Sequence, residues 1–281
     1  MWPIGVNTWV WTSPLTDDEL ARLAPRVAGW GFDVIELPIE HPGDWDPHKA
    51  AALLAELGLG ASVVLVMPPG RELVAASAQT VSDTQDYLRA CVEAAAVVGS
   101  PVVGGPAYAS VGRTWRVSLE EHRALYAELR ENLRPVADYA AGRGVRIGVE
   151  PLNRYETSLI NTVEQALEAL DGLPDEGCGL ALDSYHLNIE EKDPAAAVRA
   201  AGERIALVQV CGTDRGAPGA DHFAWPAFAD ALRDARYTGP LVIESFTAEN
   251  QAIATAASIW RPLATSQDAL ATEGLAFLRT L

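Results

Sequence analysis

Four side chains with oxygen donors stand at or next to the end of short apolar runs. Glu150 closes Ile147-Gly-Val-Glu150 and Asp183 closes Leu180-Ala-Leu-Asp183. Gln209 sits within Leu207-Val-Gln-Val-Cys211, and Glu244 closes Val242-Ile-Glu244. Runs apolar at nearly every position are those expected of parallel strands buried on both faces. Side chains at equivalent ends of successive strands converge on one rim. Carboxylates gathered there repel one another and lose hydration, and a divalent cation resolves both problems by supplying opposite charge and a coordination shell. Oxygen-dominated ligation favours a hard or borderline ion over thiolate-seeking zinc: Mn²⁺ first, with Mg²⁺ or Co²⁺ as alternatives. One such acid alone reads equally well as a loop cap. Four at equivalent places point to a metal site made of Glu150, Asp183, Gln209 and Glu244.

Further residues fall near the same rim. Glu36, at the expected end of the second strand, is a fifth acid, read either as a site residue or as a structural hydrogen-bond partner. Trp9, Trp11 and Trp115 follow expected strands, and an indole face stacks well on sugar C–H groups, so Trp115 is a candidate substrate contact. Gly104-Gly-Pro-Ala-Tyr108 is either a tight turn or a place where backbone approaches a ligand.

The elements that must position these residues alternate along the chain. Strands are expected at Ile4–Val10, Asp33–Leu37, Ala61–Val66, Pro101–Gly105, Val145–Glu150, Cys178–Asp183, Ala206–Cys211 and Leu241–Ser245. Helical patterns fill the gaps at Asp17–Trp30, Ser82–Val98, Leu119–Arg143, Val163–Leu170, Ala195–Ala201 and Ala227–Ala235. Thr16 with Glu19 three residues on is a capping box, and Gly31, Gly60, Gly144 and Gly239 suit helix ends that lead into strands. Eight strand–helix units in 281 residues predict an α/β fold, one (β/α)₈ barrel spanning residues 1–281. No Gly-x-Gly-x-x-Gly follows a strand, which counts against a dinucleotide fold. Helical segments at Gln251–Arg261 and Gln267–Leu281 form a C-terminal extension, suited to closing the barrel or to an oligomer contact.

Composition limits the partners. A net charge of −17 with no basic run is the wrong sign for nucleic acid. No apolar run reaches the length of a membrane span, and the start has no basic region ahead of its first strand, so neither membrane nor secretion signal is expected. Cys91, Cys178 and Cys211 lack metal-ligand spacing and read as reduced core thiols of a cytoplasmic protein.

At the rim residues the sequence resembles the xylose-isomerase-like barrel superfamily, and within it the D-tagatose/D-allulose (psicose) 3-epimerases. The resemblance rests on Glu150-Pro-Leu-Asn-Arg-Tyr-Glu156, Asp183-Ser-Tyr-His-Leu-Asn-Ile-Glu-Glu191, Asp214-Arg215 and Glu244-Ser-Phe246. Gly5-Val-Asn-Thr-Trp9 and Gly31-Phe-Asp-Val-Ile-Glu36 extend it to the N-terminus. It implies a metal held by Glu150, Asp183, the strand-seven residue and Glu244, with Glu150 and Glu244 also acting as the acid/base pair on a ketose C3. It further implies that Glu156, His186 and Arg215 contact the substrate, and that the protein is a homo-oligomer, dimer or tetramer. Strand seven carries Gln209 where those epimerases carry His; barrels resembling hydroxypyruvate isomerase place Gln there, and an amide oxygen can coordinate a hard cation. Asp221-His222 replaces a glycine-rich stretch, which makes His222 either a loop residue or a stand-in for the missing imidazole.

The reading is metal-dependent epimerisation of a free ketose at C3 through an enediolate. Alternatives are an aldose–ketose or hydroxypyruvate-type isomerase, which Gln209 favours, and a lyase or C-glycoside deglycosidase on an oxidised sugar. A sugar-binding barrel without catalysis is disfavoured, because both glutamates are present.

Overall fold

The computed structural model describes all 281 residues. Eight parallel strands close into a barrel in sequence order: β1 Ile4–Asn7, β2 Val34–Ile39, β3 Gly60–Leu65, β4 Val102–Gly105, β5 Arg146–Val149, β6 Cys178–Asp183, β7 Ile205–Val210 and β8 Leu241–Ile243. Around them run α1 Asp17–Trp30, α2 Pro47–Leu57, α3 Ala78–Val98, α4 Leu119–Ala141, α5 Val163–Ala169, α6 Ser184–Glu190, α7 Pro194–Ala201, α8 Trp225–Asp234, α9 Gln251–Ala256 and α10 Gln267–Leu278. The expected fold class is the one observed.

Local chemistry sets the element ends. Thr16 Oγ1 accepts from Glu19 N–H, and Gly31 closes α1 at φ 89°. Ser118/Glu121 and Thr162/Gln165 form reciprocal capping boxes on α4 and α5. Several elements differ from expectation. β1 stops at Asn7, whose side chain accepts from Trp9 N–H and turns the chain into a 3₁₀ turn at Thr8–Val10. Two helices, α2 and α6, lie where the sequence reading placed none. α10 packs on β8 and β1 and so closes the outer ring. Trp11 Nε1 and Arg26 both bind its Asp268, at 2.9 and 2.5 Å.

Two cores result. The larger lies between sheet and helices. The smaller includes Val64, Ala181 and Leu207 in the barrel lumen, where a Cβ on Gly104 would meet all three. Gly105 is required for a different reason. Its φ is +135°, and a Cβ there would lie 2.7 Å from the Leu65 carbonyl oxygen. Gly105→Ala is therefore expected to cost about 1–3 kcal/mol or more. Thermal melts should show this as a loss of roughly 2–4 °C per kcal/mol.

No helix is long and apolar enough to cross a membrane. All three cysteines are free and buried.

Candidate metal centre and active site

The strand ladder delivers the acids. Glu150 N–H donates to Gly105 O at 3.0 Å and Glu244 N–H to Val210 O at 3.1 Å, so each residue extends its strand by one step. Asp183 is both the last residue of β6 and the N-cap of α6. Its Oδ1 accepts from Tyr185 N–H at 2.9 Å, which leaves Oδ2 for the site. α6 then lifts His186 over Asp183, one helical turn on.

Glu150, Asp183 and His186 can each offer one ligand atom, all within 4.8 Å of one another. Glu244 adjoins this group. Arg215 Nη1 donates to Asp183 Oδ2 at 2.5 Å and to Glu244 Oε2 at 3.0 Å. Gln209 Nε2 donates to Glu244 Oε1 and to Glu36 Oε2, both at 2.8 Å, while Gln209 Oε1 is buried with no partner. Burial, then the neighbouring charges of Glu244 and Asp183, hold the Glu150 carboxyl well above the ordinary range. Burial also raises Glu244, with Arg215 opposing it.

This donor set fits a divalent cation. Three carboxylates against one guanidinium leave a deficit of two positive charges in a buried place. An unpartnered buried amide oxygen costs about 1–3 kcal/mol, which coordination would remove. The oxygens present suit a hard ion.

The hydrogen bonds of His186 set its tautomer. Its Nδ1 accepts from Asn153 N–H at 3.0 Å, so in the neutral ring the proton sits on Nε2. Burial lowers its pKa, which keeps it neutral. Nε2–H then faces Glu150 Oε1 at 3.6 Å and Asp183 Oδ2 at 3.7 Å, as a donor toward whatever oxygen lies between. Arg215 Nη2, 3.2 Å from that same nitrogen, is a contact between two N–H groups, not a bond.

Arg215 is no surface cation. It is 6% exposed, in the left-handed region at φ 69°, with its guanidinium over the Tyr185 ring at 4.2 Å. Glu156 lines the same pocket, held by Asn153 Nδ2 at 2.7 Å. Asn153 thus orients both Glu156 and His186. The sequence reading gave it no role, although it lies inside the Glu150–Glu156 segment.

The pocket has two unlike sides. Its charged groups come from the segments that follow β5 to β8. The opposite side is apolar, with Trp9, Val66, Pro106 and Val111 from the β1, β3 and β4 segments and Ile253 and Ala256 from α9.

Three expected contacts fall elsewhere. β2 runs on to Ile39, so Glu36 lies one layer below the rim, fully buried and outside the pocket lining. Trp115 is not part of the lining either; its N–H donates to Ser158 Oγ and its ring lies under Arg113. His222 is exposed in the loop before α8, with Nδ1 3.4 Å from Thr213 Oγ1. It does not stand in for the missing imidazole.

Comparison with known proteins agrees with this geometry. Residues 25–281 match the family described as a xylose isomerase-like TIM barrel. The chain belongs to that family. Among xylose isomerase-like barrels it is 32% identical over 275 residues to a probable ketose 3-epimerase of Synechocystis sp., covering 98% of this chain and 95% of that one. It is 30% identical over 278 residues to the ketose 3-epimerase of Arthrobacter globiformis, covering 98% and 95%. A crystal structure of D-allulose 3-epimerase from Methylomonas sp. with D-allulose superposes with a TM-score of 0.89 at 29% identity, covering 99% of this chain and 96% of that one.

Proposed function

We propose that the protein is a divalent-metal-dependent 3-epimerase of free ketoses. The observation that carries this reading is the placement of two buried glutamates, Glu150 and Glu244, on non-adjacent strands around one floor shared with Asp183, Gln209 and Arg215. Inversion at carbon needs two proton-transfer groups, because a single base returns a proton to the face it came from. One glutamate takes the C3 proton while the other supplies a proton to the opposite face. Glu150, Asp183, Gln209 Oε1 and Glu244 would hold the cation, an oxygen set that suits Mn²⁺ and also admits Mg²⁺. When bound, it supplies the electrophile that polarises the C2 carbonyl and the charge that stabilises the enediolate. His186 Nε2–H and the Arg215 guanidinium hold substrate oxygens, and Glu156 accepts from a hydroxyl.

The pocket's one cation, Arg215, is already balanced by two carboxylates, so no net positive charge is left to neutralise a phosphate. This supports a free sugar. The three free cysteines support a cytoplasmic setting. Assembly into a dimer or tetramer belongs to the same proposal, and light scattering on the purified protein measures it.

The test is incubation of the Mn²⁺-loaded protein with free ketoses and their phosphates in D₂O. Deuterium at C3 of a free ketose with formation of the C3 epimer is the expected result. Gln209 favours a second reading, aldose–ketose isomerisation, and label at C1 or C2 without C3 epimer would establish that instead.

A further inference from the structure

We propose that Glu36 is a positioning residue for the metal centre: it takes one N–H of Gln209 so that the amide presents its oxygen, and not its nitrogen, to the cation. The inference rests on the metal-binding reading above and adds to it a residue that touches neither metal nor substrate.

Glu36 belongs to one layer of the barrel. Its register partners are Asn7 on β1 and Ser62 on β3. Both donate to its carboxylate, Asn7 Nδ2 to Oε2 at 2.8 Å and Ser62 Oγ to Oε1 at 2.9 Å. The carboxylate is therefore held from two sides before Gln209 reaches it. Across the lumen, Gln209 Nε2 adds a third donor at 2.8 Å on Glu36 Oε2. Its second hydrogen goes to Glu244 Oε1, also at 2.8 Å.

Both amide hydrogens are thus committed to carboxylate oxygens. With Glu244 ionised on the cation and Glu36 accepting from Asn7 and Ser62, turning the amide over would set its oxygen against acceptors on both sides. The orientation follows from this hydrogen-bond arithmetic. What remains of Gln209 is Oε1, buried and unpartnered. Side chains that orient a ligand are the usual means by which a protein fixes donor identity at a metal site. Gln209 needs one more than an imidazole would, because an amide has one useful end and one useless end.

What Glu36 contributes in this arrangement is reach. Its charge is not required, since a neutral oxygen at the same place accepts the same bonds. Glu36→Gln keeps that oxygen, and the new amide nitrogen can donate to Ser62 Oγ. Glu36→Asp keeps the charge but withdraws the acceptor by one methylene. The experiment is Mn²⁺ titration by calorimetry on the chelator-stripped full-length protein and both variants, with circular dichroism to confirm folding. Wild type and Glu36→Gln should bind Mn²⁺ within a few fold of each other. Glu36→Asp should bind about 10–100-fold more weakly. Equal affinity in a folded Glu36→Asp overturns the proposal, and so does loss of affinity in a folded Glu36→Gln, which decides the matter alone if the aspartate variant does not fold. A wild type that takes up no Mn²⁺ removes the metal reading itself and this proposal with it, a result distinct from either variant outcome.

Discussion

Glu150→Gln and Glu244→Gln should each reduce interconversion of the two C3 epimers by roughly 10²–10⁴-fold or more, the usual contribution of a positioned acid or base. Glutamine matches glutamate in size and can still offer an oxygen to a cation, so the substitution removes proton transfer with little change in shape. Both carboxyls are buried and raised well above the ordinary range, mainly by burial. The measurement is the initial rate of epimer formation at saturating ketose, with Mn²⁺ occupancy checked separately. A variant that still interconverts the epimers at about a tenth of the parent rate contradicts the pairing of these two residues. A fall in only one variant would point to a single base and to chemistry other than inversion.

Removal of divalent metal should abolish activity and lower thermal stability together. Mn²⁺ at about 100 times its dissociation constant adds about 2.7 kcal/mol to stability. With about 2–4 °C per kcal/mol for chains somewhat shorter than this one, the melting point should rise by roughly 5–10 °C on reloading. The difference should depend on pH, with a sign set by the two glutamates. Their folded pKa values lie above those of the unfolded chain. In the stripped protein the stability they confer is complete below the unfolded value of about 4.3 and is lost as pH rises through the folded values. The cation prefers the ionised carboxylates, so it gains exactly where the stripped protein loses. Melting curves from about pH 5 to 8 should show the stripped protein weakening and the gap to the Mn²⁺ form widening. A gap that narrows with rising pH would place the cation away from these acids.

The barrel was readable because its strands are apolar on both faces, which leaves near-continuous runs in the sequence. The helices that escaped notice have physical reasons. α2 buries only Ala50 and Leu54, so it carries little periodicity, although the Asp46 cap and Pro47 at its start are ordinary start signals. α6 begins on the residue after β6, with Asp183 serving strand, cap and site at once, and no gap marks the change. The acids of the site were legible because each terminates a run. Depth along a strand was not. The apolar run places the end of β2 at Leu37 and Glu36 near the rim, whereas the strand continues two residues further, to Ile39. The places of Trp115 and His222 are not legible either, because the course of a loop leaves no trace in spacing. The orienting groups, Asn7, Ser62 and Asn153, carry small polar side chains whose roles appear only once the strands that hold them are side by side.

The two-sided pocket separates what the enzyme does from what it admits. Every proton-moving or charge-bearing group lies between Glu150 and Glu244, in the second half of the chain. The opposing wall is built from the first half and from α9. Exchanges among Val66, Val111, Ile253 and Ala256 reshape the space offered to the far end of a sugar and leave the reacting end untouched. Selection for a longer, shorter or deoxygenated substrate can therefore act on the first half of the chain and on α9 while the segment from Glu150 to Glu244 is held constant. The same division tells a protein engineer which residues to randomise and which to leave alone.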